Sequence, residues 1–355
     1  MSQSVKRQGA MMTKWRIGID ENGLGPQLGP LVVTGCLLSA GPRGKKLLNG
    51  ELPPALRRDL DDSKALVSNK DVSLGEAWAR VVVERMTGKA PKSHQELLAT
   101  LSIDPLSTLQ KICPSQSKRQ CWNTQGEKFS AKPELLVRLK KHLEWLENRD
   151  IEPCGLSTVV ICTSRLNSLK REGVHRFAAD LHAMERLILD LSQKSEEPVE
   201  AICGKVGGIA EYGKYFRYLS THLFNILQEG REKSSYRFPE IGDVHFIKDA
   251  DASDPAVMLS SLVGKYVREL TMKRIGRYYL SSLPSGTKMP SGYHDPVSDQ
   301  FVQLTQRLRE KENIPDDCFQ RSRSEKTSAR RKKTKTASPP PKKKKTAEKR
   351  QGSLF

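Results

Sequence analysis

The sequence has no run close to the roughly 18 apolar residues of a membrane helix, and no signal-peptide pattern opens it. Aromatic residues are sparse at 6%, and hydrophobic residues of all kinds reach only 37% of 355. That supports a core but implies that part of the chain stays outside it. Cysteine offers no framework either. The seven cysteines, at 36, 113, 121, 154, 162, 203 and 318, are odd in number and form no Cys-x-x-Cys. Cys113 and Cys121, with seven residues between them, have the character of zinc ligands, but no matching second pair follows. Free thiols in a reducing cytoplasm are therefore the expectation. Acidic charge is the remaining shortage: 41 Asp and Glu against 60 Lys and Arg give a net +19. Residues 321–355 hold 14 Lys and Arg against Glu325 and Glu348, a net +12, which leaves +7 for the first 320. Both parts favour a polyanionic partner, nucleic acid before an acidic membrane.

What the sequence does have begins at WRIGIDENGLGPQLGPLVVTG, Trp15 to Gly35. Trp15, Ile17 and Ile19 alternate with Arg16, Gly18 and Asp20 as a strand requires. Consecutive strand residues face opposite sides, so Asp20 and Glu21 converge only if the strand ends there. Asn22-Gly23 is a turn signal at that point, and Leu31 to Leu38 reads as the return strand. Two carboxylates on such a corner suit a metal ion.

Residues 1–13 read as a loose leader. Helical spacing runs over Leu56–Leu66, closed by Asp61–Lys64 (DDSK), and over Leu74–Met86. The stretch 88–132 is polar and weakly periodic, and reads as an insertion or lid. Pro133–Asn148 carries an apolar stripe, Ser157–Thr163 reads as a buried strand, and 168–193 as a long helix. A strand at Val199–Cys203, a helix at Tyr212–Leu227 and a strand at Val244–Lys248 follow. Pro255–Tyr279 is expected as a helix with proline in its first turn, and Val297–Leu308 as the last helix. Strands alternating with helices indicate an α/β core. Beyond about 313 the composition turns to Lys, Arg, Ser, Thr and Pro, which cannot bury enough apolar surface to order itself. A disordered tail is expected over 313–350.

With the strands side by side, Asp20-Glu21, the Cys203–Gly208 turn and Lys248–Asp251 meet. Carboxylates clustered at strand ends bind Mg²⁺ or Mn²⁺, and two such ions about 4 Å apart serve phosphodiester hydrolysis. With the basic surface, this favours a nuclease. The plain reading of a lone Asp-Glu pair is a solvated corner; of Asp62, a helix terminus; of Tyr293, packing; and of Lys265 and Arg268, a solvated stripe. His94, His142, His175, His182, His222 and His245 show no ligand spacing.

GIDENGLGPQLGP resembles the opening of type 2 ribonucleases H, usually GIDEAGRGP with a second GP. Asp62-Ser63-Lys64 is similar to the family's DSK, and DADASDPAVMLSSLVGKYVRE (Asp249–Glu269) to its D-x-x-x-P-x-x-x-A-A-S-I-x-A-K-x-x-R-D segment. Gly292-Tyr293-His294-Asp295-Pro296 resembles its later GY element. These motifs follow the family's order over about 14–310, within a domain expected at 14–312. The resemblance implies an RNase H-like fold, a mixed central sheet flanked by helices. It also implies cleavage of RNA in RNA–DNA hybrids, or at a ribonucleotide embedded in DNA, in replication and repair. By the same resemblance Asp20, Glu21 and Asp251 hold the Mg²⁺ or Mn²⁺ and act as the catalytic carboxylates. Gly23, Leu24 and Gly25 form the loop near the ribose 2′-OH, where glycine permits close approach. Tyr293 stacks on the sugar by the cleavage junction, and Lys64, Ser261, Lys265 and Arg268 help to hold the substrate.

Two departures stand out. Leu24 replaces the arginine of the family's GRG loop, and the family's second aspartate falls by spacing on Gly204, or on Cys203, neither a hard oxygen ligand. A catalytically impaired nucleic-acid-binding paralogue is therefore the alternative, and a structural nucleoid protein acting through its tail a third reading. The tail carries a solubilising reading, a nucleic-acid-attaching one and a nuclear-import one for KKKK. The closing QGSLF resembles the bacterial sliding-clamp pentapeptide, with Gln351, Leu354 and Phe355 as the contact residues. A cytoplasmic setting, nucleoid-associated in a bacterium, is expected.

Overall fold

The computed structural model describes residues 14–48, 52–67, 71–206 and 208–322. Among the described residues seven strands form one sheet: β1 (Lys14–Asn22), β2 (Leu31–Ala40), β3 (Ile151–Ile161), β4 (Val199–Gly204), β5 (Asn225–Gln228), β6 (Lys233–Phe238) and β7 (Gly242–Ile247). Their spatial order is β3-β2-β1-β4-β7-β6-β5. The β1–β4 and β4–β7 pairs are parallel and the others antiparallel. The protein is thus an α/β fold, as the alternation of elements predicts, with the mixed central sheet flanked by helices that the family resemblance implies.

Alternation along β1 decides which helix meets which face. Ile17 and Ile19 enter an apolar cluster with Leu181, Met184, Leu187 and Ile188 of the helix Arg176–Ser192. On the other face Gly18 lies under the helix Pro255–Leu280. A Cβ on Gly18 would come within 2.2 Å of the Ala256 and Val257 backbone, so the close approach of strand and helix requires glycine. Asp254 caps that helix at the backbone N–H of Ala256 and Val257 (3.0 and 3.1 Å) and pairs with buried Arg16 of β1. The cap and the ion pair set the helix's height over the sheet.

Several expected elements differ. The helix expected at 56–66 is two short ones, Pro54–Arg57 and Ser63–Leu66. Asp62 starts the second by accepting from the Lys64 N–H (2.8 Å), so DDSK opens a helix instead of closing one. The 168–193 helix is parted into Thr163–Arg171 and Arg176–Ser192, and the last helix into Pro296–Leu304 and Gln306–Lys311. The 88–132 stretch forms three helices, His94–Leu101, Leu106–Lys111 and Ser115–Trp122, with Leu97, Leu98, Leu101 and Leu109 in the main core. Helices of 6 to 8 residues are too short to show a period in the sequence.

No helix forms over 212–227. Two 3₁₀ turns, Gly213–Tyr215 and Leu219–Thr221, lead into β5 instead. Buried Glu185 takes the backbone N–H groups of Arg217 (3.0 Å), Tyr218 and Leu219 (3.1 Å), which a helix would need for itself. Helical structure recurs at Asp316–Phe319, and the compact unit runs to Arg321, past the boundary expected at 312. Residues 323–355, with most of the basic tail and QGSLF, lie outside the described residues. Among the described residues no helix is long and apolar enough to cross a membrane.

Candidate active site

Parallel pairing of β1 and β4, with Ile19 opposite Cys203, brings their C-terminal ends to one edge of the sheet. Strand β1 continues through Asn22, so Asp20 and Glu21 leave a strand end still paired with β2. They nevertheless reach the same place. A Cβ on Gly204 would stand 3.1 Å from Asp20 Oδ1 and 3.4 Å from Glu21 Oε2. Position 204 is therefore the point on which both carboxylates close, and it has no side chain of its own.

Asp20, Glu21, Gly23, Leu24, Gly25, Lys64, Ser261, Lys265 and Tyr293 line one cavity of about 320 Å³, together with Gly204 and Asp251. Asp251 arrives from the 3₁₀ turn Ala250–Ala252 behind β7, after Asp249 turns the backbone into the left-handed region (φ 52°). Lys64 Nζ lies 3.3 Å from Asp251 Oδ2. Ser261 Oγ meets Ser63 Oγ at 2.8 Å, which joins the Pro255–Leu280 helix to the DDSK turn. Asn22 Nδ2 donates to the Ser261 carbonyl (3.3 Å) and to Asp20 Oδ2 (3.4 Å).

Two candidates act differently from expectation. Lys265 Nζ donates to the Ser63 carbonyl (3.0 Å) and to that of Val67, so it buttresses the DDSK turn. Arg268 is not part of the cavity wall. It is buried, pairs with Glu269, donates to the Ser291 carbonyl (3.0 Å) and sits 5.0 Å from the Tyr293 ring centroid. It thus supports half-exposed Tyr293 from behind.

Reading the sequence misses three further residues. Arg321 is 2% exposed and holds the loop after β1. Its guanidinium donates to the carbonyls of Gly23 (2.7 Å), Leu24 (3.3 Å) and Gly29 (2.7 and 2.9 Å), and its backbone N–H to Gln27 (2.9 Å). Arg176 reaches the Leu24, Gly25 and Pro26 carbonyls at 3.5 Å. Gly23 needs its positive φ (91°), and a Cβ there would meet the Pro30 carbonyl at 2.8 Å. The third residue, Asp180, is fully buried on the Arg176–Ser192 helix, and neither carboxylate oxygen has a hydrogen-bond partner. Only an acid on an otherwise apolar face betrays it in the sequence.

Electrostatically the site is crowded with negative charge. Burial raises Asp20 well above its ordinary range, and repulsion from Glu21 and Asp251 adds to this, against a hydrogen bond from Ser261. Glu21 rises from 4.5 to about 8 through burial first, then repulsion from Asp180 and Asp251, opposed by Lys64. Asp180 is raised by burial and then by Asp20. Between about 4.5 and 8, folded Glu21 keeps a proton that the unfolded chain has released. Stability must therefore fall as pH rises through that window. The melting temperature without divalent ions is expected to drop from pH 5 to pH 8, less steeply in Glu21→Gln; an identical slope in that variant would disprove the assignment.

The donor set suits a hard divalent cation: carboxylate oxygens, mutual repulsion that a cation relieves, and a cradle at Gly204 that a side chain would fill. As the side chains stand, no three His, Cys, Asp or Glu among the described residues form a ready-made metal group. Lys64 instead supplies the positive charge beside Asp251.

No protein-family model matches the chain, and no curated protein does. Among solved structures, Bst-RNase HIII in complex with Mn²⁺ is 14% identical, covering 91% of this chain and 71% of that one, at a TM-score of 0.41. RNase HII of the PCNA:RNase HII complex from Archaeoglobus fulgidus is 14% identical (88% and 98% covered, TM-score 0.39). Ribonuclease H2 from Pyrococcus horikoshii OT3 is 11% identical (91% and 100% covered, TM-score 0.35). All three are ribonucleases H. Likeness at this level assigns no residue in the present chain.

Proposed function

We propose that the protein is a metal-dependent endonuclease of the type 2 ribonuclease H kind, with an RNase H-like fold. It hydrolyses RNA in RNA–DNA hybrids or at ribonucleotides embedded in DNA. The observation that carries this reading is convergence. Motifs at 20–25, 62–64, 249–265 and 293 line one cavity, and Gly204 lies where a further carboxylate would stand.

Asp20, Glu21 and Asp251 would hold Mg²⁺ or Mn²⁺, which when bound supplies an activated water and offsets charge on the phosphodiester. The Gly23–Gly25 backbone faces the ribose 2′-OH, the group that separates RNA from DNA. Tyr293 packs on the sugar at the junction, and Lys64 and Ser261 position the phosphate. Basic residues beyond 322 attach the protein to any duplex through phosphate contacts, and QGSLF serves as a clamp-binding peptide.

The test is a DNA duplex with a single embedded ribonucleotide, incubated with Mn²⁺. Wild type is expected to nick it, and Asp20→Asn to lose at least about a hundredfold, some 2.7 kcal/mol of barrier. Full rate in Asp20→Asn would mean that the metal site is wrong. The missing carboxylate at Gly204 favours the second reading, a binding protein of the same ancestry. Intact hybrid and ribonucleotide substrates, with binding retained, would establish that reading instead.

A further inference from the structure

The sequence pairs Cys113 with Cys121 and offers no second pair. The fold supplies one. Cys113 precedes the helix Ser115–Trp122 and Cys121 lies in its last turn, Cys162 precedes the helix Thr163–Arg171, and Cys318 lies in the helix Asp316–Phe319. All four line a single cavity of about 40 Å³, between the 88–132 segment, the end of β3 and the C-terminal end of the described chain. Cys36, Cys154 and Cys203 do not line it.

The cavity's size limits its guest. Liquid water occupies about 30 Å³ per molecule, so one ion or one or two waters fit. A cofactor or organic substrate, needing about 300 Å³ or more, does not. Its walls between the thiols include Leu98, Val160 and Ile275. Two other lining residues carry buried polar atoms without a hydrogen-bond partner, Ser117 Oγ and Trp122 Nε1. Unused O–H and N–H donors beside sulfur are what charged thiolates accept from around a metal. Arg274, held by Glu127 at 2.8 Å, adds positive charge at the wall.

We propose that Cys113, Cys121, Cys162 and Cys318 form a structural site for a thiophilic divalent cation, zinc by ligand preference. Four sulfurs, each partly buried, match the four-coordinate, sulfur-rich preference of such ions at structural sites. As placed, the sulfurs are not at ligand spacing, so binding of the ion requires that they move inward over the cavity. Without the ion, burial first and then the neighbouring thiols raise the pKa of Cys113, Cys121 and Cys162, which keeps these three neutral. Bound zinc deprotonates coordinating thiols outright. The ion would tie three distant chain segments together and fix Cys318, three residues before Arg321.

The test uses the full chain, purified under reducing conditions, with metal content and Co²⁺ absorption as readouts. About one zinc per chain is expected. Metal-depleted protein should give an intense sulfur-to-cobalt charge-transfer band with Co²⁺, displaced by Zn²⁺. Cys121→Ser and Cys318→Ser should each lower zinc stoichiometry at least about fivefold, whereas Cys154→Ser should not. Wild type that takes up neither ion, or unchanged zinc in both cavity variants, would overturn the proposal. So would disulfides among the four cysteines in the wild-type mass. Misfolding of a variant leaves the wild-type cobalt spectrum to decide. None of these readouts depends on nuclease activity, so this proposal and the proposed function can fail separately.

Discussion

Gly204→Asp is expected to bind Mn²⁺ at least tenfold more tightly than wild type and to cleave an embedded ribonucleotide at least tenfold faster. The backbone at 204 is a β4 position outside the positive-φ glycines, so it accepts an L side chain without strain. The new Cβ lies 3.1 Å from Asp20 Oδ1 and 3.4 Å from Glu21 Oε2, a tight fit that the ends of two side chains can yield to. A further carboxylate among groups already raised by burial and then by mutual repulsion costs stability when no cation is present. The variant should therefore melt below wild type in chelator and gain more on adding Mn²⁺, because an ion that binds only the folded state stabilises it by mass action. Titration calorimetry and the nicking assay measure the two halves. A folded variant with no gain in either would mean that position 204 is not part of the metal-binding geometry.

The second large effect separates two truncations only a few residues apart. A chain ending at 322 should keep its melting temperature and its turnover at saturating substrate. It should bind duplexes more weakly and with a flatter salt dependence, having lost the basic residues beyond Arg321. A chain ending at 320 should lose both stability and turnover. It gives up the guanidinium that satisfies the Gly23, Leu24 and Gly29 carbonyls, bonds to a charged donor worth about 1.5–3 kcal/mol each. Arg321→Met in the full chain should reproduce that loss with the tail present. Deleting only 351–355 should touch neither property and remove clamp binding alone. Equal behaviour of the 320 and 322 chains would mean that the loop holds its shape without Arg321.

Much of the framework is legible because its signals are local. The β1 alternation, the Asn22-Gly23 turn and Pro255 opening a helix each depend on neighbours in sequence. The misjudged parts depend on distant partners. Residues 212–227 carry helical spacing, yet Glu185, far back in the chain, takes the N–H groups that a helix would use. Cys113 and Cys121 look incomplete because their companions come from the end of β3 and from the last helix of the described residues. Arg321 is concealed by composition, since it opens a basic run and reads as its first member. In the site, the acids at Asp20, Glu21 and Asp251 announce themselves by motif. Asp180 does not, because a single acid on an apolar helix face carries no spacing that ties it to the other three, and only its burial near Glu21 and Asp20 does so.

The Arg321 clamp also bears on how the protein is made. The loop it holds, Gly23 to Gly29, is among the first parts of the chain to be synthesised, whereas the guanidinium that fixes it is nearly 300 residues later. Domains tend to fold as units, and this one runs to Arg321, so any pairing of β1, β2 and β3 before residue 321 is made leaves the loop beside the carboxylates without that guanidinium. A nascent chain shorter than 321 residues then carries the acids but not the fixed loop. On the proposed function, recognition of the 2′-OH would arrive only once residue 321 is free to fold back, after most of the fold is already in place.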